Sequence, residues 1–412
     1  MLAGVVVVSR NVRPVSELLS YAEALSEVLS RVRRLPAECV PLEEAAGRVL
    51  AEPAVARVDL PPFPSSAMDG FALRSAETPG RLPVVLEIAA GRPSPRALQS
   101  GESMAIATGG VVPEGADAVI PHEYVVYHDN TIEVPEPVPT GANVRLRGGD
   151  VATGAVVAEA GARLGPAQIG ALAAAGVAEV RCARAPRVAV LTTGTELRSP
   201  GDPLGPGEIY EANGVMLVAR LAAAGAEVAR LSPVADDESA HRTAIEAGLE
   251  RDVLVTSGGV SVGPHDLVRR VEAQLGVEEV FWRVAVKPGK PVSFGVRGST
   301  LVFGLPGNPV SSLVGCELFV LPALRALQGA ADPAPPFEPG RLARTVQRDP
   351  RRDELLRART SVSEDAVLLE PVSGQDSHMI VRAAEADALV FVPRGEGELP
   401  AGAPAKFLRL SR

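Results

Sequence analysis

Lys287 and Lys290 share the segment Lys287-Pro288-Gly289-Lys290-Pro291, and the chain has only one other lysine, Lys406. Arginine supplies every other one of the 41 basic residues. Where lysine persists in such a composition, a compact ammonium on a flexible stem is called for that a planar guanidinium cannot imitate. Ammonium groups act as point charges on phosphate and oxyanion oxygens. The turn is therefore a candidate anion site.

Three further segments suit phosphate chemistry. Thr256 to Gly263 (TSGGVSVG) follows the apolar run DVLV. Gly258, Gly259 and Gly263 let the backbone approach a ligand, and successive N–H groups flanked by Ser257 and Ser261 can form an anion-binding nest. Pro264 suits the first turn of a helix, whose N-terminus favours negative charge. Asp266 in that turn either complements the helix dipole or holds a divalent cation beside a phosphate. The second segment, Gly304 to Ser311, follows TLVF. Asn308 is expected to cap a helix and Pro309 to begin it, while Pro306-Gly307 is a candidate contact for phosphate or an oxyanion. In the third, Thr192 to Leu197, the hydroxyl of Thr193 and the Gly194 turn suit a nucleotide and Glu196 a metal. The alternative there is a capped turn. Asp236 and Asp237 follow the next strand and either assist a metal or only cap a helix. A fourth segment, Ser66 to Phe71, lies in a different region, where Asp69-Gly70 is a turn signal that also carries a carboxylate.

These residues need elements to position them. Residues 16–34 read as an amphipathic helix with Ser16 as N-cap, and Leu42 to Val49 as a second helical stretch. From Val55 to about Asn143, short apolar runs separated by Pro and Gly describe a β-rich unit, after which 143–184 is expected to return to helix. Between 187 and 329, buried strand candidates (RVAVLTT, EVARLSPV, DVLVTSGG, the FWRVAV region, TLVFGLPG) alternate with helices near 213–224, 237–250, 265–275 and 309–328. That alternation predicts a parallel-rich sheet covered on both faces, with ligands beyond the carboxyl ends of its strands. A proline-rich linker at 330–340 leads to a small β domain.

At 412 residues the chain is too long for one core. A formal net charge of −9 excludes general nucleic-acid binding and adhesion to acidic membranes. Cys39, Cys182 and Cys316 have neither disulfide nor zinc spacing, which fits a reducing cytoplasm. The apolar start is too short for a signal peptide, and no uninterrupted apolar run reaches about 18 residues. No membrane partner is expected, and the expected location is cytoplasmic.

Taken together, the segments resemble the molybdopterin molybdenumtransferase family (MoeA of bacteria and archaea, and the E domain of gephyrin). The resemblance rests on SSAMDGFA (65–72), ATGGVVPEGADAVI (107–120), GANVRLRGGD (141–150), TTGTEL (192–197), EIYEANG (208–214), TSGGVSVGPHD (256–266), FWRVAVKPGKP (281–291) and FGLPGNPVSS (303–312). GQDSHMI (374–380) is a weaker echo. The chain departs from the family pattern at Ser65, at Phe71 in place of Tyr, and at Thr195 where Asp or Asn is commoner.

The resemblance implies a multidomain α/β and β homodimer. Residues 1–54 plus 143–184 would form a helical and extended dimerisation domain, and 55–142 an inserted β domain. A molybdopterin-binding α/β domain would span 185–329 and a C-terminal β barrel 330–412. It also implies Mg²⁺-dependent hydrolysis of adenylylated molybdopterin, with insertion of molybdate (or tungstate) and release of AMP. Lys287 and Lys290, with Pro291, would hold the oxyanion or phosphoanhydride. Glu196 and Asp266 would hold Mg²⁺, helped by Asp236 or Asp237. Thr193, Gly194 and the loop of Ser257, Gly258, Gly259, Ser261 and Gly263 would receive molybdopterin. Pro306, Gly307, Asn308, Pro309 and Ser311 would line the oxyanion side, with Arg357 and Ser377 touching the anion. Asp69 is the implied catalytic carboxylate, facing the α/β domain of the partner, with Thr108 and Asp150 near it. Transient contact with an adenylyltransferase is also implied. The rivals are the adenylyltransferase itself, disfavoured by the extra modules, and a non-catalytic scaffold, disfavoured by the retained acidic residues and lysines.

Overall fold

The computed structural model describes residues 18–235, 237–259 and 267–410, arranged as two compact units, 38–182 and the remainder. Ser16, Asp236, Ser261, Gly263, Pro264 and Asp266 lie outside the described residues. The first helix, α1 (Tyr21–Arg31), is shorter than expected, and its N-cap is Ser20. Ser20 Oγ accepts from Glu23 N (3.2 Å) while Glu23 Oε2 accepts from Ser20 N (3.0 Å), a reciprocal capping box. Buried Ala24 and Val28, one turn apart, join the same core as Leu318 and Phe319. That contact places α1 with the 183–410 unit, whereas the sequence grouped it with 143–184.

In the 38–182 unit, β1 (Gly70–Leu73), β2 (Gly80–Ile88), β3 (Ser103–Ile106), β4 (Ala118–Pro121), β5 (Val126–His128) and β6 (Thr131–Val134) form a sheet of order β4-β1-β3-β2-β6-β5. Strand β1 is buried on both faces, with Phe71 and Leu73 in one cluster and Ala72 in another. A Cβ on Gly70 would fall 2.0 Å from Ile120 O, so the close β1–β4 approach requires glycine after Asp69. Outside this sheet, the expected helix at 42–49 is a single tight turn, Leu42–Glu44. Gly47 (φ +75°) breaks it, and Val49 and Leu50 bridge to Arg163 and Cys182. The helical return at 143–184 is likewise confined to α2 (Pro166–Ala174), because Gly148, Gly154 and Gly161 turn the chain through positive φ before it.

The other unit is built on β7 (Arg187–Thr192), α3 (Asn213–Ala223), β8 (Glu227–Arg230), α4 (Glu238–Leu249), β9 (Val253–Ser257), α5 (Leu267–Gln274), β10 (Glu278–Trp282), β11 (Val286–Lys287), β12 (Ser293–Arg297), β13 (Thr300–Leu305) and α6 (Pro309–Leu327). The sheet order is β8-β7-β9-β13-β12-β10. The first four strands are parallel, as expected, and the last two antiparallel. Strand β12 was not anticipated. Side chains alternate between two cores, as strand geometry dictates. Val188, Val190, Val253 and Val255 share a cluster with Leu217 and Leu221 of α3 and Leu324 of α6. Ala189, Leu191 and Leu254 share another with Ile245 and Leu249 of α4 and Val268 of α5. Helix α6 is long and apolar enough to cross a membrane, but 83% of its apolar window is buried in this core.

The barrel strands are β14 (Glu338–Leu342), β15 (Asp353–Val362), β16 (Val367–Pro371), β17 (Ala388–Val392) and β18 (Pro404–Arg409). They run β15-β16-β14-β18-β17 and close through a β15–β17 pairing, while β11 adds to β15 in parallel. The third lysine is explained here. Lys406 Nζ lies 5.4 and 5.3 Å from the ring centres of Phe337 and Phe391, beside Tyr21.

Candidate active site

Three loops leave the carboxyl ends of neighbouring strands β7, β9 and β13. Backbone bonds join them: Thr193 N donates to Ser257 O and Gly258 N to Leu305 O, each 3.1 Å. Gly194 N reaches Val234 O at 3.1 Å. Glycine is needed at this contact, since a Cβ on Gly258 (φ +98°) would fall 2.6 Å from Thr193 O. A Cβ on Gly259 (φ +64°) would fall 2.6 Å from a methyl of Val268. The loops bound a cleft of about 560 Å³, lined among others by Thr193, Gly194, Glu196, Gly258, Gly259, Pro291, Pro306, Gly307 and Asn308. Nine of the residues singled out in the sequence thus come together. The nest is narrower than expected at its start, because the Gly258 N–H is already engaged.

The remaining candidates divide. Ser257 is buried, and its hydroxyl donates to Pro306 O (3.1 Å) beside Ser312 Oγ (3.3 Å). Ser311 is buried in the first turn of α6. Asn308 holds the N-cap position of α6, but its side chain does not cap; Nδ2 donates instead to Ser377 Oγ at 2.9 Å. The cap is provided by Ser377 O, which accepts from Val310 N at 3.1 Å. Arg357 is 1% exposed, and its guanidinium donates to the carbonyls of Met379 (2.7 Å), Gly374 (2.8 Å) and Asp376 (3.2 Å). It shapes the loop carrying Ser377. Asp237 is the N-cap of α4, accepting from Ala240 N at 2.7 Å, which is the structural alternative for that residue.

Lys287 Nζ lies 2.6 Å from Glu354 Oε1; its side chain is 50% exposed and that of Glu354 9%. Lys290 is exposed and has no ion-pair partner among the described residues. Glu196 is an exposed carboxylate on the cleft. Among the described residues no group of three or more His, Cys, Asp or Glu is placed to hold a metal. A magnesium site needs less, one or two carboxylates plus substrate phosphates, and Glu196 fits that donor set.

In the 38–182 unit, Asp69 is exposed at the start of β1, and Thr108 orients it. Thr108 N (2.6 Å) and Oγ1 (2.9 Å) both donate to Asp69 Oδ1. Those two bonds, the backbone one foremost, hold its carboxyl below the ordinary range. Phe71 is buried edge-on to His122 and Tyr127, where a tyrosine hydroxyl would need a partner. Asp150 is exposed in a loop pinned by Asp59, which accepts from Thr153 N (2.7 Å), Thr153 Oγ1 (2.8 Å) and Arg147 Nε (2.6 Å). These bonds lower the Asp59 pKa to about 2.

Sequence reasoning missed two residues of the α/β site. His241 is 1% exposed, lines the cleft, and its Nδ1 contacts Asp237 O at 2.8 Å. A carbonyl only accepts, so the proton sits on Nδ1. Its position on the apolar face with Ile245 and Leu249 was the available signal. Asn213, inside the quoted EIYEANG stretch, bridges two of the loops.

A parallel-rich sheet with glycine loops at its carboxyl ends, a cleft lined by those loops and by Pro291 of the lysine turn, and an appended barrel define a multidomain α/β protein with a cleft suited to an anionic ligand. Residues 189–326 match the model of a probable molybdopterin-binding domain, 19–176 the MoeA N-terminal region (domains I and II), and 339–410 the MoeA C-terminal region (domain IV). The chain belongs to the MoeA family. It is 36% identical over 378 residues to molybdopterin molybdenumtransferase 2 of Mycobacterium tuberculosis, covering 88% of this chain and 92% of that one. To the molybdopterin molybdenumtransferase of Staphylococcus aureus it is 32% identical over 405 residues, covering 96% and 95%. A crystal structure of the molybdopterin biosynthesis MoeA protein of Pyrococcus horikoshii superposes with a TM-score of 0.82 at 29% identity, covering 95% and 99%. Another from that organism gives 0.78 at 32% identity, covering 96% and 100%.

Proposed function

We propose that this chain is a transferase of molybdenum cofactor biosynthesis that inserts molybdate into adenylylated molybdopterin and releases AMP. Beside the family membership, the observation that carries this reading is the cleft. Glycine-loop backbone, the Glu196 carboxylate and Pro291 of the lysine turn meet at the carboxyl ends of β7, β9 and β13, a setting suited to an anionic pterin phosphate and an oxyanion. In the overall field of a protein with net charge −9, that local setting is what makes anion binding favourable.

Within this reading, Gly259 and Gly307 offer backbone to the molybdopterin phosphate, and the exposed Lys290 ammonium faces the oxyanion or phosphoanhydride. Lys287 shares its charge with Glu354. Charge develops on phosphate oxygens as the anhydride breaks, and fixed cations stabilise it. Mg²⁺, held by Glu196 together with Asp266 and one of Asp236 or Asp237, would add Lewis-acid neutralisation of those oxygens. Asp69, oriented by Thr108, acts as the catalytic carboxylate. We place it opposite the cleft of a partner subunit in a homodimer, with Asp150 nearby; its domains follow the boundaries given above, except that α1 belongs with the α/β unit. Tungstate is an alternative oxyanion, the location is the cytoplasm, and an adenylyltransferase hands over the substrate.

The test is reconstitution of an apo-molybdoenzyme. Adenylylated molybdopterin, molybdate, Mg²⁺ and this protein should restore activity; no restoration above a protein-free control would overturn the proposal.

A further inference from the structure

The EIYEANG stretch sits between β7 and β8, and no role in the reaction above falls to it. Its residues are nevertheless locked together. Glu211 is 1% exposed; Oε1 accepts from Gly214 N at 2.6 Å in the first turn of α3, and Oε2 pairs with Arg230. Gly214 admits this arrangement, since a Cβ there would fall 2.8 Å from Glu211 Oε2 and 3.2 Å from a methyl of Thr192. The first residue of α3, Asn213, is thereby fixed against the end of β7. Its Nδ2 donates to Ser257 Oγ at 2.9 Å and to Gly307 O at 2.7 Å. Gly307 O can only accept, so the atom facing it must be the amide nitrogen. Ser257 Oγ in turn donates to Pro306 O at 3.1 Å.

We propose that Asn213 is a positioning residue of the reaction: a bidentate tie setting the spacing between the 257–259 loop and the 306–308 loop. The inference rests on the functional reading given above, in which the first loop receives the pterin phosphate and the second lines the oxyanion side. Both amide hydrogens are used, one per loop, so neither loop can move alone without breaking a bond. Aspartate, the same shape, would face Gly307 O with an acceptor. Leucine, of similar size, would offer nothing to either loop. Residues that hold two reactants in register act on the rate of the bound complex more than on binding, and misplacement by about 1 Å costs on the order of 100-fold.

The experiment compares wild type with Asn213→Leu and Asn213→Asp, the pair separating loss of the donors from added charge. Amide hydrogen exchange at 257–259 and 307–308 should quicken about tenfold in both variants, for the loss of two hydrogen bonds. In AMP release with saturating molybdate, kcat should fall between about 10- and 100-fold while KM for adenylylated molybdopterin stays within about threefold. Asn213→Leu combined with Ser257→Ala should lose less than the product of the single effects, because the two share a bond. Unchanged exchange in both loops overturns the tie. Unchanged kcat per folded molecule with quickened exchange overturns the positioning role and leaves a structural one. If wild type releases no AMP, the functional reading fails, while the exchange result still decides the tie.

Discussion

Replacing Lys287 by alanine should cost stability, and replacing Lys290 should cost activity with little effect on stability. The difference follows from Glu354. Its carboxylate is 9% exposed and meets the Lys287 ammonium at 2.6 Å across the β11–β15 pairing. At that distance the gross attraction is about 6 kcal/mol in an effective dielectric of about 20. Lys287 is half exposed, so water screens the pair, and the net coupling falls between exposed pairs (about 0.2–1 kcal/mol) and buried ones (about 3–5 kcal/mol on breaking). A coupling of about 1–2 kcal/mol is expected, or a loss of roughly 4 °C in Tm for a unit of this size. The assay is a double-mutant cycle on thermal or urea unfolding with Lys287→Ala, Glu354→Gln and the double variant. Glu354→Gln should recover most of what Lys287→Ala loses, because the buried charge goes with it. A coupling below about 0.3 kcal/mol, the usual limit of additivity, would refute the argument. Lys290→Arg, which keeps the charge but not the compact ammonium, should lower AMP release at unchanged Tm; normal activity would undo the reasoning from lysine usage.

Asp69→Ala should abolish metal insertion with the fold intact, and Thr108→Val should move the Asp69 titration upward by removing one of its two donors, as read by carboxyl NMR. A variant inserting at the wild-type rate would remove Asp69 from the reaction. Asp59 titrates at about 2 against an ordinary 3.8. Its folded-state pKa is depressed, so its stabilisation is complete above about pH 4 and fades as pH falls toward 2. The Tm gap between wild type and Asp59→Asn should therefore close over that window; a gap constant from pH 7 to pH 2 would contradict the assignment. Gly258→Ala should destabilise by about 1–3 kcal/mol, the cost of a positive φ in an L-residue, and weaken molybdopterin binding at least about tenfold by displacing Thr193. Wild-type affinity there would show the loop contact to be dispensable.

The elements with strong periodicity were legible in the sequence. The β7, β9 and β13 runs are continuously apolar because helices cover both faces, and the loops after them were found by that rule. Asn308 and Asp237 show where local reading divides. Each sits at a helix start with the right side chain, yet Asp237 caps its own helix while Asn308 turns to Ser377, almost seventy residues away. No local signal encodes that choice. Glu354 and Arg357 illustrate the same limit, since burial of a charged residue is decided by a partner strand or loop that only the closed barrel supplies. The helices expected at 42–49 and 143–184 failed because glycine turns interrupt windows whose composition favours helix. Lys406, unexplained by any motif, became intelligible once Phe337 and Phe391 were seen to converge on it.

In the proposed reaction, the cleft couples phosphoanhydride cleavage to oxyanion insertion. The most direct measurement is AMP release from adenylylated molybdopterin with Mg²⁺, titrated with molybdate and, separately, tungstate. AMP should appear only when an oxyanion is present, in step with formation of active cofactor, and the two titrations should rank the metals. AMP released at the same rate without oxyanion, or no AMP from folded protein with either one, would contradict it.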